Sequence, residues 1–330
     1  MSSDSDEIGH TSGRELLVGE SLPMLDLYRT IRKIAPGEIS VLINGESGTG
    51  KDLVARTIHA LSPRRDGPYV AVNCGAIAAE LAESELFGHM KGAFTGATSV
   101  HNGFFKQAEG GVLFLDELTE MRLDLQVKLL RVLESQTFQP VGAERPQSSD
   151  VRIIASSNRE LSDAMANGQL RRDLYYRVAQ FSLDLPPLRQ RGEDVVLLAK
   201  AFLEEQCSGG SVRKQFSDEA LDILRIYHWP GNIRELRNVV ARAFLLADTE
   251  IGLKDLPGNL VSAQSTTPDE LHLPDGQTLE DVERRIIVTT LHAHNGNKTT
   301  AARDLGISLK TLYNRLKHYE AKNLLSPPDA

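Results

Sequence analysis

The sequence predicts an α/β protein with a parallel, doubly wound sheet, a helical lid and a C-terminal all-α domain. Short apolar runs alternate with longer amphipathic segments as far as Leu185, which is the order of a parallel sheet covered by helices. The β signal stops from Asp194 onwards, and the later apolar patterns have helical spacing. These two observations give the fold class.

Each element follows from its own pattern. The predicted strands are Ile39–Ile43, Tyr69–Val72, Val112–Leu115, Val151–Ala155 and Phe181–Leu185. Helical stripes lie between them, at Leu53–Leu61 and Leu125–Leu133 among others. The lid helices are predicted at Val195–Phe202, Leu221–Ile226 and Leu236–Leu245. Pro257–Gln277 is rich in linker residues, and a second helical unit covers Leu279–Tyr319.

These patterns predict five segments along the 330 residues. We expect a disordered lead at 1–12, an α/β core at 13–190 and a helical lid at 191–250. A linker at 251–277 would then connect the lid to the C-terminal domain at 278–330.

Composition restricts the class of protein. Apolar residues make up 41% of the chain, enough for globular cores. No apolar run approaches the roughly 20 residues that span a bilayer, and the polar N-terminus lacks a secretion signal. Two cysteines in unrelated contexts suggest reduced thiols in the cytoplasm. The net charge of −8 opposes general nucleic-acid coating, yet residues 281–330 carry eight basic and five acidic residues, which fits a local DNA-binding module.

A phosphate-binding loop is predicted at Gly45–Lys51, which fits G-x-x-x-x-G-K between a strand and a helix. Its backbone N–H groups, the helix N-terminus and Lys51 would all face phosphate oxygens. Asp52 stands where Ser or Thr usually contacts Mg²⁺, which leaves room for a water-mediated bond. A glycine-rich turn without a ligand is the alternative, and the strand–loop–helix context disfavours it. The predicted ATP-binding residues are Gly45, Glu46, Ser47, Gly48, Thr49, Gly50, Lys51, Asp52 and Asp116.

Two acids end the apolar strand Val112–Leu115. Asp116 is predicted to hold Mg²⁺, directly or through water, and Glu117 to orient and polarise the attacking water. The alternative is that both acids favour a helix N-terminus. The phosphate loop upstream favours the catalytic interpretation.

Four motifs together resemble the AAA+ domains of bacterial enhancer-binding proteins, which activate RNA polymerase carrying sigma-54. They are Gly45–Asp52, Gly92–Ala97, Gly110–Glu117 and Trp229–Leu236. The resemblance covers roughly Glu15–Ala247, and the Gly92–Ala97 motif is close to diagnostic. Members of this family usually carry an acid at the position of Asp52.

The resemblance implies further catalytic roles. Asn73 matches the residue that gates the hydrolytic Glu117 according to nucleotide state, and Asn158 matches sensor I. Arg171 and Arg177 match arginine fingers that reach a neighbouring subunit, and Arg234 matches sensor II. Each arginine taken alone is more often a solvated surface charge.

The resemblance also assigns the loop that contacts sigma-54. Its residues are Gly92, Ala93, Phe94, Thr95, Gly96 and Ala97. This loop is expected to be a mobile hairpin that contacts sigma-54 when ATP is bound. Without the resemblance it would be an ordinary flexible loop. Met90 departs from the family, which commonly has Glu there.

The C-terminal segment resembles the Fis-type helix-turn-helix. Asn297 and Ser308 are predicted helix caps with a turn at Gly306, and Leu312 and Leu316 are predicted to face inward. The outer face would meet phosphates and base edges through Ser308, Lys310, Thr311, Asn314, Arg315 and Lys317. A helical dimerisation domain is the alternative.

The sequence therefore suggests an ATP- and Mg²⁺-dependent activator of the sigma-54 RNA polymerase holoenzyme that binds upstream enhancer DNA. We expect a homo-oligomer, a hexamer when active and a dimer when inactive. Because about a dozen residues precede the ATPase core, we expect control by a regulatory protein in trans, by expression level or by proteolysis. The alternatives are an ATP-switched regulator of sigma-70 promoters and a non-transcriptional AAA+ remodelling ATPase.

Overall fold

A computed structural model describes residues 17–207, 213–262, single positions between 283 and 294, and 297–321. The strands are β1 Val41–Asn44, β2 Tyr69–Asn73, β3 Val112–Asp116, β4 Thr137–Phe138, β5 Gln147–Ser148, β6 Arg152–Ser157, β7 Phe181–Asp184, β8 Gln215–Phe216 and β9 Glu250–Ile251. The predicted lead at 1–12 lies outside the described residues.

The described helices up to residue 262 cover both faces of the sheet and build the lid, and the later helices belong to a separate C-terminal unit. They are α1 Leu22–Ile34, α2 Lys51–Ala60, α3 Ala82–Phe87, α4 Phe104–Gln107, α5 Leu123–Ser135, α6 Leu161–Ala166, α7 Arg172–Val178, α8 Asp194–Cys207, α9 Asp218–Ile226, α10 Asn232–Leu246 and α11 Gly258–Ser262, then α12 Lys298–Asp304 and α13 Leu309–Ala321. The chain divides into two units, Met1–Ser265 and Thr266–Ala330.

The central sheet has the strand order β2–β3–β6–β1–β7, and each pair of neighbours is parallel. Along β3, Leu113 and Leu115 enter one apolar core, while Val112 and Phe114 enter the other. Alternate residues of this buried strand therefore pack on opposite faces. The predicted doubly wound sheet is confirmed.

Two strand predictions were wrong at their starts, and all five differ from the observed strands by one or two residues at their ends. Ile39, predicted inside the first strand, is 41% exposed and precedes β1, which begins at Val41. At the other end β1 includes Asn44, whose side chain donates a hydrogen bond to Asp184 of β7. The sixth strand likewise begins one residue later than predicted, at Arg152, and continues to Ser157.

Helix α1 is held at both ends. Backbone N–H groups of Glu20 and Ser21 donate to one carboxylate oxygen of Asp194, at 2.7 and 3.0 Å. At the other end the buried guanidinium of Arg152 donates to the carbonyls of Ile34 and Ala35, at 3.1 and 2.7 Å. Arg152 thereby satisfies acceptors that a helix C-terminus leaves open.

The lid packs around Trp229, which is fully buried and donates its indole N–H to the Leu224 carbonyl at 2.9 Å. Residues 251–262 belong to this packing, because Ile251, Leu256 and Leu260 are buried in the same cluster. The expected linker start at 251 was therefore too early, since the apolar spacing of these three residues outweighs the local Pro and Gly. The rest of that linker lies outside the described residues.

In the second unit, α12 and α13 form the described part of the helix-turn-helix. The Asn297 side chain accepts from the Thr300 N–H at 3.3 Å, and the Ser308 hydroxyl from the Thr311 N–H at 3.0 Å. Leu312 and Leu316 are buried. Both predicted caps and the inward face are confirmed, whereas most of the preceding predicted helix lies outside the described residues.

Candidate nucleotide site and its surroundings

The phosphate loop joins β1 to α2 through a backbone that glycine accommodates. Gly48 and Gly50 have φ angles of 79° and 101°, in the left-handed region. A Cβ on Gly48 would lie 2.5 Å from the Gly231 carbonyl oxygen of the lid. Gly48 is therefore required both by its φ angle and by the close approach of the lid.

Lys51 is folded over the loop. Its ammonium group donates to the carbonyls of Gly45 and Glu46, at 2.8 and 3.1 Å. Burial lowers its pKa, while Asp116 and Glu117 oppose that shift. The cation thus lies at the loop, beside the two acids of β3, where an anionic ligand would neutralise it.

Asp116 and Glu117 are held from both neighbouring strands. The Asn73 and Asn158 amides each donate to a different carboxylate oxygen of Glu117, at 3.3 Å. Ser156 donates to the Asp116 carboxylate. The structure therefore brings together four residues that the sequence proposed for hydrolysis or metal binding.

Asp52 is hydrogen-bonded on both carboxylate oxygens. One accepts from the Tyr69 hydroxyl at 3.0 Å and the other from Arg56 at 2.8 Å. Burial, and then Asp52, raise the pKa of Tyr69, so the phenol keeps its proton. Asp52 is tied to β2 and to its own helix, and its role towards the metal stays a prediction.

The lid reaches the loop through charged and amide side chains. Arg234 donates to the Ser47 hydroxyl at 2.9 Å. Arg189 donates to both carboxylate oxygens of Glu46, at 2.9 and 2.6 Å, and Asn232 donates to Glu46 at 3.0 Å. The Arg189 hydrogen bond, then that from Asn232, lowers the pKa of Glu46 to about 2. We call Glu46, Arg189 and Asn232 the loop–lid latch.

Loop, acids and lid enclose one cavity of about 690 Å³. Its polar wall includes Thr49, Lys51, Asp116, Glu117 and Arg234, and its apolar wall includes Leu17, Val18, Leu53, Leu198 and Ile233. Volume and lining suit a small ligand with one anionic and one apolar end. Of the predicted phosphate-binding residues, Ser47–Asp52 line the same space as the predicted metal ligand Asp116, whereas Gly45 and Glu46 do not.

The donor set suits Mg²⁺ held jointly with a nucleotide. Among the described residues, no group of three or more His, Cys, Asp or Glu side chains could hold a metal ion by itself. Mg²⁺ typically binds through one or two carboxylates together with substrate phosphates. Asp116, in the cavity wall beside Lys51, offers such a carboxylate.

The two predicted arginine fingers lie outside this cavity. Arg171 forms a two-pronged pair with Asp173, at 3.0 and 2.6 Å. Arg177 donates to the Leu133 carbonyl at 3.2 and 2.6 Å, near the end of α5. Neither residue completes the site of its own chain in this structure.

The tip of the Gly92–Ala97 loop is exposed, whereas Ala97 at its base is buried. Its ends are joined by a hydrogen bond from the Gly92 N–H to the Ala97 carbonyl at 2.8 Å. A Cβ added to Gly92 or Gly96 would meet no atom within 4 Å. Phe94 is 41% exposed, with its ring edge-on to His89 at 5.0 Å. The loop presents an aromatic and a threonine to solvent.

On the predicted DNA-reading helix α13, Lys310, Asn314 and Lys317 are exposed. Ser308 and Thr311 share a hydroxyl–hydroxyl hydrogen bond of 2.7 Å. Arg315 lies 3.1 Å from the Glu283 carboxylate, so its guanidinium is engaged within the domain in this structure. Its contact with DNA stays a prediction.

The sequence analysis missed an exposed aromatic in this unit and four groups around the nucleotide cavity. Tyr313 of α13 is half exposed, with the Lys298 ammonium 4.8 Å from its ring centre. The other missed groups are Arg189 and Asn232 of the latch, Ser156 beside the acids, and Arg191, which donates to the Thr49 carbonyl at 3.0 Å. Burial lowers the pKa of Arg191 to about 10. Asn232 lies within the Trp229–Leu236 motif, but nothing in that motif shows that it bonds Glu46. The other three residues lie outside every motif named above, and only their spatial proximity identifies them.

The parallel sheet, phosphate loop, paired acids and helical lid define an AAA+ P-loop ATPase fold. Residues 17–184 match the sigma-54 interaction domain, residues 189–272 the AAA+ ATPase lid domain, and residues 278–319 the bacterial regulatory protein Fis family. The chain belongs to the family of sigma-54-dependent transcriptional regulators.

Named relatives agree with this membership. The chain is 44% identical over 306 residues to the nitrogen fixation protein AnfA of Azotobacter vinelandii, covering 92% of this chain and 57% of AnfA. It is 45% identical to the transcriptional regulatory protein ZraR of Escherichia coli K12, covering 95% of this chain and 71% of ZraR. The crystal structure of NtrX from Brucella abortus in complex with ATP aligns with a TM-score of 0.69 and 34% identity, over 92% of this chain and 69% of that one.

None of the helices in the described ranges is both long and apolar enough to cross a bilayer.

Proposed function

We propose that this chain is an ATP-driven transcription activator that binds upstream DNA and remodels sigma-54 RNA polymerase so that the promoter opens. The observation that carries the proposal is the exposed Gly92–Ala97 loop on a domain matching the sigma-54 interaction domain. A protruding loop of small residues around one aromatic suits transient contact with a protein partner.

ATP is proposed to bind in the 690 Å³ cavity with its phosphates at the loop and its base against the apolar wall. Lys51 would exchange its bonds to two loop carbonyls for bonds to phosphate oxygens. Asp116 would hold Mg²⁺, which when bound neutralises charge on the phosphates. That the related NtrX was crystallised with ATP supports this nucleotide.

Glu117 is proposed to orient the attacking water. In this structure two neutral amides restrain its carboxylate, one from each flanking strand. A bound γ-phosphate would compete for these amides and turn the carboxylate towards the water. Hydrolysis would then depend on the contacts of Asn73 and Asn158, and so on which nucleotide is bound.

A homo-oligomeric ring, proposed to be a hexamer, would complete the site. Arg171 and Arg177 lie on the surface of their own chain, as groups serving a neighbour would. Head-to-tail contacts generate such rings, because every subunit then offers the same two surfaces. The exposed Lys310, Asn314 and Lys317 on α13 are proposed to hold this ring at upstream DNA.

The test is binding of purified sigma-54 by the full chain in ADP with aluminium fluoride, followed by native gels. The expected result is a stable complex with the transition-state mimic and none with ADP alone. Thr95→Ala should keep most ATPase activity and lose the complex, because Thr95 is exposed and distant in sequence from the phosphate loop.

Two results would redirect the proposal. Absence of any complex, with ATPase intact, would favour an ATP-switched regulator of sigma-70 promoters or a remodelling ATPase outside transcription. Equal loss of ATPase activity and binding in Thr95→Ala would place the loop in the catalytic site instead.

A further inference from the structure

Ser156, near the end of β6, contacts both acids of the nucleotide site. Its side chain is fully buried. The hydroxyl donates to the Oδ1 atom of Asp116 and accepts from the Glu117 backbone N–H at 3.1 Å. One hydroxyl therefore donates to the last residue of β3, Asp116, and accepts from the residue that follows it, Glu117.

The backbone at this point needs support. Glu117 has a φ angle of 56°, a left-handed conformation that is uncommon for residues other than glycine. Such conformations persist where surrounding contacts fix them, and they cluster at functional sites. The bond from the Glu117 N–H to Ser156 is one of those contacts, and it aims the Glu117 side chain towards Asn73 and Asn158.

The hydroxyl also restricts Asp116. With one lone pair of Oδ1 engaged by Ser156, Oδ2 is the less occupied oxygen for a metal ion or its bound water. The register of the sheet makes this possible, because β3 and β6 are parallel neighbours with Leu115 opposite Ala155. The residues that follow, Asp116 and Ser156, then lie side by side.

We infer that Ser156 is a positioning residue for the metal–nucleotide complex. It fixes which Asp116 oxygen faces the divalent cation and holds the turn that presents Glu117. The inference rests on the proposed ATPase function, and it adds a residue that no phosphate-loop or acid motif contains. Removing a hydrogen-bond partner of a metal-ligating carboxylate typically lowers the metal affinity by about 10- to 100-fold.

The adjacent Ser157 supplies a matched control. It is also fully buried, yet its hydroxyl bonds only the backbone of Arg159 among the contacts described, at 2.9 and 3.1 Å. A general loosening of the end of β6 would affect both serine-to-alanine variants. A positioning role predicts an effect for Ser156→Ala alone.

The experiment measures Mn²⁺ binding to full-length protein in the presence of ADP, by electron paramagnetic resonance of the unbound ion. Ser156→Ala should weaken Mn²⁺ binding by about tenfold or more, and Ser157→Ala by less than about twofold. ADP affinity in EDTA should be unchanged in both variants. The Mg²⁺ concentration for half-maximal ATPase should rise in Ser156→Ala only.

Mn²⁺ affinity of a folded Ser156→Ala that matches the wild type, or an equal loss in Ser157→Ala, overturns the inference. If circular dichroism shows Ser156→Ala unfolded, Ser156→Cys replaces it, since a thiol has similar size and donates poorly. A folded Ser156→Cys with wild-type Mn²⁺ affinity is equally contrary. Failure of the wild type to hydrolyse ATP while it binds Mn²⁺ with ADP would remove the proposed ATPase and leave the Mn²⁺ comparison valid.

Discussion

At the scale of single residues, Glu117 is fixed by three strands acting together. It follows β3, while Asn73 at the end of β2 and Asn158 just after β6 each hold one of its oxygens. The position of the Glu117 side chain therefore depends on β2 and β6, the two strands beside β3. Substitution by glutamine keeps the shape of this side chain, removes its charge and replaces one of its two accepting oxygens by a donor.

Glu117→Gln should bind ATP with affinity close to the wild type and lose about 100-fold or more in turnover, because an amide is a poor base. Steady-state phosphate release measures the turnover, and an equilibrium titration measures the ATP affinity. The matched control is Glu120→Gln, an acid three residues later that pairs with Arg159 at 2.6 Å and should keep its activity. Unchanged turnover in Glu117→Gln removes this residue from the mechanism.

At the scale of elements, the loop–lid latch joins the phosphate loop to the start of the lid. Glu46 accepts from Arg189 and Asn232, which are distant from it in sequence. Because its pKa is lowered to about 2, any stabilisation it gives the fold is complete above about pH 4.5 and is lost as the pH falls towards 2. The latch is thus ionised across the physiological range, and mutation rather than pH is the way to release it.

Arg189→Gln should raise the ATP dissociation constant by up to about fivefold. The pair is roughly two-fifths exposed, and exposed ion pairs contribute at most about 1 kcal/mol. Arg225→Gln is the control, since Arg225 has the same 38% side-chain exposure but pairs with Glu193 inside the lid. Titration with a fluorescent ATP analogue distinguishes them; equal effects of both variants would mean that the latch has no special link to the nucleotide.

Residues in contiguous motifs could be predicted from the sequence, whereas residues brought together by the fold could not. A motif fixed the phosphate loop because its residues are contiguous, and the same holds for the acids of β3 and the caps Asn297 and Ser308. The latch and Ser156 depend on which segments become neighbours, and one residue of slip between β3 and β6 would separate Ser156 from Asp116. Local periodicity carries no information about such register. The early linker boundary had a different origin, because tertiary burial of Leu260 and its neighbours overrode local composition.

At the scale of the whole molecule, the proposed site is divided between subunits. Arg177 donates to the Leu133 carbonyl of its own chain and is not among the residues that line its own nucleotide cavity. If neighbours exchange these arginines, two different inactive subunits can together form an active interface.

Mixing Arg177→Ala with Glu117→Gln subunits should restore measurable ATPase, because up to roughly a quarter of interfaces in a random one-to-one ring receive one intact set. The control mixes Arg177→Ala subunits with subunits that carry both Arg177→Ala and Glu117→Gln. This mixture contains no intact Arg177 and should stay inactive. Steady-state phosphate release in mixtures shown to exchange subunits is the measurement. No recovery in the first mixture would argue for a site built within one chain.

Helix α1 connects the beginning of the lid to the central sheet. Asp194 fastens its first residues to the beginning of the lid, and Arg152 fastens its last carbonyls to the middle of the sheet. The helix is therefore hydrogen-bonded to the lid at one end and to the sheet at the other. A rotation of the lid about the cavity would either break the hydrogen bonds at Asp194 or shift α1 relative to β6. This strand carries Ser156 and is followed by Asn158. A movement of the lid would therefore act on β6 through α1 as well as through the phosphate loop.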